Sequence, residues 1–237
     1  MTCSFHKFGD FFPGTGDIAD IGEGEGKGYA INLPLNDGLD DDSFRQIFRS
    51  TISDIMTYYD PGAIVLQCGA DSLAGDRLGV FNLSLHGHAD AIDFVKQFGR
   101  PLLVLGGGGY TVRNVARCWT NETGVILGEV LSDTLPYNKF FEYYQAGDYK
   151  LHIQPVNGFK NENSQEYLAN IQERINTLLK GLSHRPGGAV QTGQPGTSQT
   201  PDVANAAAII NENIDTEADG PGKDERMTKT EIDEKVY

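Results

Sequence analysis

The chain has 237 residues, 39% of them hydrophobic, with a formal net charge of −14 and an isoelectric point near 4.6. So acidic a surface repels phosphate backbones, which argues against direct binding to DNA. No apolar run approaches the ~18 residues of a membrane span, and Met1 to Phe12 lacks the apolar core of a signal peptide; Cys3, Cys68 and Cys118 form neither a CxxC pair nor a disulfide framework, which fits a reducing compartment.

In chain order, Thr2 to Phe5 reads as a strand, followed by a loop from Phe8 to Gly28 that is rich in glycine and acid. Tyr29 to Leu33 reads as a second strand, closed by Pro34. Asp40, Asp41 and Asp42 mark a helix N-terminus, where negative charge is favourable, and Phe44, Ile47, Phe48, Ile52, Ile55, Met56 and Tyr59 recur at helical spacing after them. Ala63 to Leu66 is a β-like run, His86 to Phe98 a helix, Pro101 to Leu105 another β-like run, and Val112 to about Glu129 a helix. Repeated strand–helix units predict a parallel sheet covered on both faces. The aromatic stretch from Pro136 to Tyr144 reads as packing. Ser164 looks like the cap of a last helix built on Leu168, Ile171, Ile175, Leu178, Leu179 and Leu182. From residue 183 to 237 the composition predicts a disordered acidic tail: from Pro201 onward there are ten Asp or Glu against four Lys or Arg.

Two strand ends carry chemistry. The run from Ala63 ends in a glycine turn that presents Asp71, and the run from Pro101 ends in Gly106 to Gly109 followed by Tyr110. Ligands in α/β sheets sit beyond the C-terminal ends of parallel strands, and a metal-ligating carboxylate beside a hydroxyl donor is what a metal-assisted hydrolase needs. Alone, Asp71 reads equally as a turn aspartate, and Tyr110 as an aromatic over a flexible turn. Asp76 reads as a loop residue, His6 and Lys7 as structural, and His86 and His88 as surface or cap residues rather than ligands. Arg77 and Arg113 are solvated charges singly and an anion site together. There is no GxGxxG and no GxxxxGK[ST], which disfavours a nucleotide-binding module.

The stretches Ser4-Phe5-His6-Lys7, Phe12-Pro13-Gly14-Thr15-Gly16, Gln67 to Gly79, Gly106 to Trp119, Leu135-Pro136-Tyr137-Asn138 and Lys150-Leu151-His152-Ile153 closely resemble a class I histone deacetylase, in order and at family spacing across residues 1–182. The resemblance implies an α/β fold with a parallel sheet flanked by helices, the three-layer arginase/deacetylase arrangement, and zinc-dependent hydrolysis of acetyl-lysine on histone tails. It implies Asp71 as one zinc ligand and Tyr110 as the hydroxyl that polarises the acetyl carbonyl. Phe12, Gly108 and Leu78 fall at the acetyl-lysine channel. Ser4, Phe5 and Tyr29 match potassium sites, and Arg77 and Arg113 match an inositol phosphate site shared with a corepressor. The implied partners are acetylated histone tails and corepressor subunits, and the implied location is the nucleus, with the cytoplasm second.

Family members carry about half of the catalytic domain before the position that matches Met1. The paired histidine bases, the other Asp and His zinc ligands and the second aromatic wall have no counterpart here. A catalytic zinc takes three protein ligands. The expectation is therefore the C-terminal part of a catalytic domain over residues 1–182, inactive and poorly stable by itself, and the competing expectation is a non-catalytic fragment that binds corepressor partners.

Overall fold

The computed structural model describes residues 1–9, 11 and 13–183. The acidic segment from 184 to 237 and Phe12 lie outside the described residues. The described chain is α/β: strands β1 (Thr2–Lys7), β2 (Ala30–Leu35), β3 (Ile64–Gln67) and β4 (Leu102–Leu105), and helices α1 (Asp41–Tyr58), α2 (Leu85–Lys96), α3 (Val112–Leu127) and α4 (Gln165–Ser183).

The helices begin and end where their capping chemistry dictates. The Asp40 carboxylate accepts from the Ser43 N–H at 2.9 Å, and Asp41 and Asp42 occupy the first turn of α1. Asp60 at φ 49°, followed by Pro61, prevents α1 from continuing. The Ser84 hydroxyl caps α2 by accepting from the Gly87 N–H at 3.1 Å, and the Asp41 carboxylate accepts from the Ser84 N–H at 2.8 Å, tying the two helix starts together. Gly128, left-handed at φ 77°, ends α3 two residues before the expected stop near Glu129. Ser164 caps α4 as expected, its hydroxyl accepting from the Tyr167 N–H at 3.1 Å.

The four described strands pair in parallel, in two separate pairs: β1 with β2, from Thr2 opposite Ala30 to Lys7 opposite Leu35, and β3 with β4, from Ile64 opposite Leu102 to Gln67 opposite Leu105. Pro34 does not close β2 as the sequence suggested; it sits inside the strand. The Thr2 N–H donates to the Tyr29 carbonyl and the Phe8 N–H to the Leu35 carbonyl. Bonding therefore alternates so that odd-numbered residues of β2 face β1. The nitrogen of Pro34 points to the outer edge, where no ladder needs a donor.

The main core packs Ile31, Leu33 and Leu35 of β2 against Ile47 and Ile55 of α1 and Leu168, Ile171, Ile175, Leu179 and Leu182 of α4. A second cluster of Phe48, Ala91 and Val95 carries Ile64, Leu66 and Leu102 from the β3–β4 pair. The opposite face of that pair is bare, with Val65 66%, Leu103 54% and Leu105 45% exposed. Among the described residues, then, helices cover only one face of β3–β4, where the sequence predicted cover on both.

Candidate active site

Strands β3 and β4 lie side by side, so the turns that follow them are neighbours. The Ala70 N–H donates to the Gly108 carbonyl at 2.7 Å, and the Trp119 indole N–H of α3 donates to the Cys68 carbonyl at 2.9 Å. A Cβ built on Gly108 would overlap the Asp71 carboxylate. The glycine run thus lets the second turn lie directly on the carboxylate of the first.

Asp76 locks this contact. One of its oxygens accepts from the N–H groups of Leu78 and Gly79 at 2.9 and 2.8 Å, and the other from those of Tyr110 and Thr111 at 2.7 and 3.2 Å. It is a loop residue, as expected, but one that fixes the Asp71 turn to the Tyr110 turn. Asp76→Ala is expected to lower unfolding free energy by about 3 kcal/mol, since four amides lose a charged acceptor. Denaturant unfolding checks this, and a loss below about 1 kcal/mol would refute it.

Asp71, Tyr110, Gly108, Leu78, Ser4 and Phe5 line one cavity of about 1300 Å³. Asp71 is half-buried. Burial first, and then the negative charge of Asp76, hold its carboxyl above the ordinary value, opposed in part by His88. Tyr110 is 43% exposed, and Leu78 at 47% stands at the rim. Phe11 joins the lining, next to the undescribed Phe12. Tyr29 is not part of the lining; its ring meets Tyr59 edge-on at 6.0 Å. Arg77 is exposed beside Asp76, and Arg113 lies in the first turn of α3; neither has an acidic partner among the described residues. Arg117, one turn on from Arg113, is buried beneath the Tyr144 ring at 4.8 Å.

His88 departs from the surface or cap role read for it. It is buried, its Nδ1 meets the Glu122 carboxylate of α3, and its Nε2 donates to the Gly69 carbonyl at 2.9 Å. The Gly69 carbonyl can only accept, so Nε2 carries a proton, and the Glu122 carboxylate at Nδ1 favours a proton there as well. Burial opposes that charge, but the Glu122 carboxylate outweighs it and leaves the His88 pKa raised. The Cys118 thiol donates to the same carboxylate at 3.5 Å, and burial followed by Glu122 holds this thiol protonated. The pair therefore grips the backbone two residues before Asp71. The available sequence signal was Glu122 lying on the same face of α3 as Val115 and Cys118. His86, by contrast, is exposed and stacks on His152 with ring centroids 4.0 Å apart.

Among the described residues, the one group of three metal-type ligands is His88, Cys118 and Glu122, already joined by hydrogen bonds; Asp71 is in no such group. One carboxylate does not make a catalytic zinc site, which takes three protein ligands. This chain's described residues therefore do not hold such a metal by themselves.

Residues 1–126 match the histone deacetylase domain. The chain is 56% identical over 191 residues to human histone deacetylase 1, covering 81% of this chain and 39% of that protein. It is 55% identical over 189 residues to the type-1 histone deacetylase 1 of Dictyostelium discoideum, covering 80% and 38%, and 49% identical over 236 residues to the Drosophila melanogaster histone deacetylase HDAC1, covering 100% and 42%. The chain thus spans about two-fifths of the length of these curated relatives. With the matched domain and these identities in hand, the chain belongs to the class I branch of the histone deacetylase family.

Proposed function

We propose that the chain carries the Asp71–Tyr110 side of an acetyl-lysine deacetylase centre acting on histone tails. The observation that carries this reading is that Asp71 and Tyr110, on turns bound to each other through Asp76, line one cavity. In the reaction the Tyr110 hydroxyl donates to the carbonyl oxygen as negative charge develops on it. Gly108 leaves room beside the Asp71 carboxylate, and Leu78 borders the entrance. Phe12 is assigned to the wall of the acetyl-lysine channel. Zinc is the family's metal by resemblance, with Asp71 one ligand of several; since the described residues supply only that one, no step is assigned to the metal in this chain. Potassium sites at Ser4, Phe5 and Tyr29 belong to the same reading.

Residues 1–182 are read as catalytic-domain sequence. Arg77 and Arg113 are the anion-binding pair, which the positive charge of Arg117 strengthens, and an inositol phosphate shared with corepressor subunits is the ligand proposed for them. The location proposed is the nucleus. No helix among the described residues is long and apolar enough to cross a membrane.

The purified chain, supplied with zinc and an acetyl-lysine histone peptide, is expected to show no hydrolysis above background; turnover would refute the incomplete-centre reading. Replacing the 191 matched residues of the human relative by those of this chain is expected to preserve deacetylation, and a dead chimera would refute the assignment itself. The second reading, a non-catalytic fragment that binds corepressor, rests on the two arginines, which have no acidic partner among the described residues. It predicts capture of corepressor by the inactive chain, lost in the Arg77→Ala, Arg113→Ala double variant.

A further inference from the structure

The turn that carries Tyr110 has few side chains with which to hold itself. Gly106 to Gly109 precede the tyrosine, and glycine gives up more conformational freedom on ordering than any other residue. The Tyr110 hydroxyl has no hydrogen-bond partner among the described residues. The ring is therefore placed through its backbone, directly ahead of α3. A helix start leaves N–H groups without intrahelical acceptors. The Thr111 side chain does not cap this one; its hydroxyl donates to the Gly75 carbonyl at 2.9 Å. The acceptor comes from Asp76, 34 residues before Tyr110, whose one oxygen takes the N–H groups of both Tyr110 and Thr111. Its negative charge also suits the helix N-terminus. Asp76 is itself anchored, because its other oxygen holds Leu78 and Gly79, and a Cβ on Gly79 would overlap the Asp71 carbonyl oxygen.

We infer that Asp76 is a positioning residue for catalysis: by holding the amides of Tyr110 and Thr111 from the Asp71 turn, it fixes where the Tyr110 hydroxyl stands relative to the Asp71 carboxylate. The inference rests on the catalytic reading of Tyr110 and adds to it the group that sets the hydroxyl in place. A donor stabilises developing charge only if it is already aimed at the oxyanion position, and a misplacement of about 1 Å can cost about 10²-fold in rate. The other ties of this turn, from the Ala70 N–H to the Gly108 carbonyl and from the Thr111 hydroxyl to the Gly75 carbonyl, do not touch Tyr110. Both oxygens of Asp76 are engaged by amides. Its effect on the reaction therefore passes through the Tyr110 hydroxyl, and it vanishes where that hydroxyl is absent.

The test is a double-mutant cycle of Asp76→Asn and Tyr110→Phe in the chimera of the human relative that carries this chain's matched residues. One end of the asparagine amide donates, so whichever way it turns, one pair of N–H groups loses its acceptor. Asp76→Asn alone is expected to lower kcat about tenfold to 100-fold, with KM changed less than about threefold. In the Tyr110→Phe background the same substitution is expected to lower kcat less than about threefold. Asp76→Glu keeps the charge but displaces it by one methylene; it is expected to act as Asp76→Asn does and carries the cycle if the asparagine variant does not fold. Hydrogen exchange at the Tyr110 and Thr111 amides, slow in the parent chimera, should quicken at least about tenfold in either variant. A merely structural role would lower kcat by the same factor with and without the hydroxyl. That result, a kcat within about threefold of the parent, or fast exchange at those two amides in the parent would each overturn the inference. A Tyr110→Phe loss below about fivefold would overturn the catalytic reading first, and this inference with it.

Discussion

Tyr110→Phe, made in the chimera of the human relative that carries this chain's matched residues, is expected to lower kcat by about 10²- to 10³-fold, equivalent to about 3–4 kcal/mol of transition-state stabilisation. KM should change little, because the hydroxyl bonds strongly only when charge builds on the carbonyl oxygen. Tyr110 lines the cavity and is 43% exposed, and its backbone N–H is held by Asp76 at 2.7 Å. Loss of the hydroxyl therefore leaves its turn in place. Steady-state kinetics with an acetyl-lysine peptide separate the two constants. A fall of less than about fivefold, or a rise in KM with kcat unchanged, would remove Tyr110 from the chemistry.

Breaking the buried His88–Glu122 pair should produce the largest stability change in the chain. Glu122→Gln removes the carboxylate that favours the protonated His88 ring and is expected to cost about 3–5 kcal/mol in denaturant unfolding. The His88→Gln, Glu122→Gln double variant should lose less than the sum of the singles, since each single already removes the interaction. Stability also acquires a pH dependence of defined sign. The His88 pKa is raised in the folded state relative to its ordinary value of 6.5. Its contribution is therefore fully present below that ordinary value and is lost as pH rises through the raised folded value. Urea titrations across that window should show wild-type stability falling with pH and a flatter profile for Glu122→Gln. An unchanged slope, or a loss of under 1 kcal/mol, would show that the ion pair does not support the turn before Asp71.

Several features of this molecule are local in the sequence, and those were legible there. Helix starts at Asp40, Ser84 and Ser164 depend on side chains reaching amides three residues ahead, so a short window contains the whole cause. Of these, the sequence reading named the acidic start of α1 and the Ser164 cap. The strand–turn pattern around Asp71 and Tyr110 was equally readable, because an apolar β-like run and the glycines that end it fall within one short window. Pro34 misled for the complementary reason. A proline closes a strand only where its nitrogen faces a partner, and which side it faces depends on the pairing with β1.

Composition, the starts of α1 and α4, and the order of strands and helices were thus determined by the sequence alone. Only the tertiary structure decided that Asp76 ties the two turns together, that His88 is buried against Glu122, and that β1 and β3 border a common groove. These are contacts between segments 34 or more residues apart. Such contacts come from burial and pairing across space, and neither residue type nor local spacing encodes which distant partner a carboxylate, a ring nitrogen or a strand edge will meet.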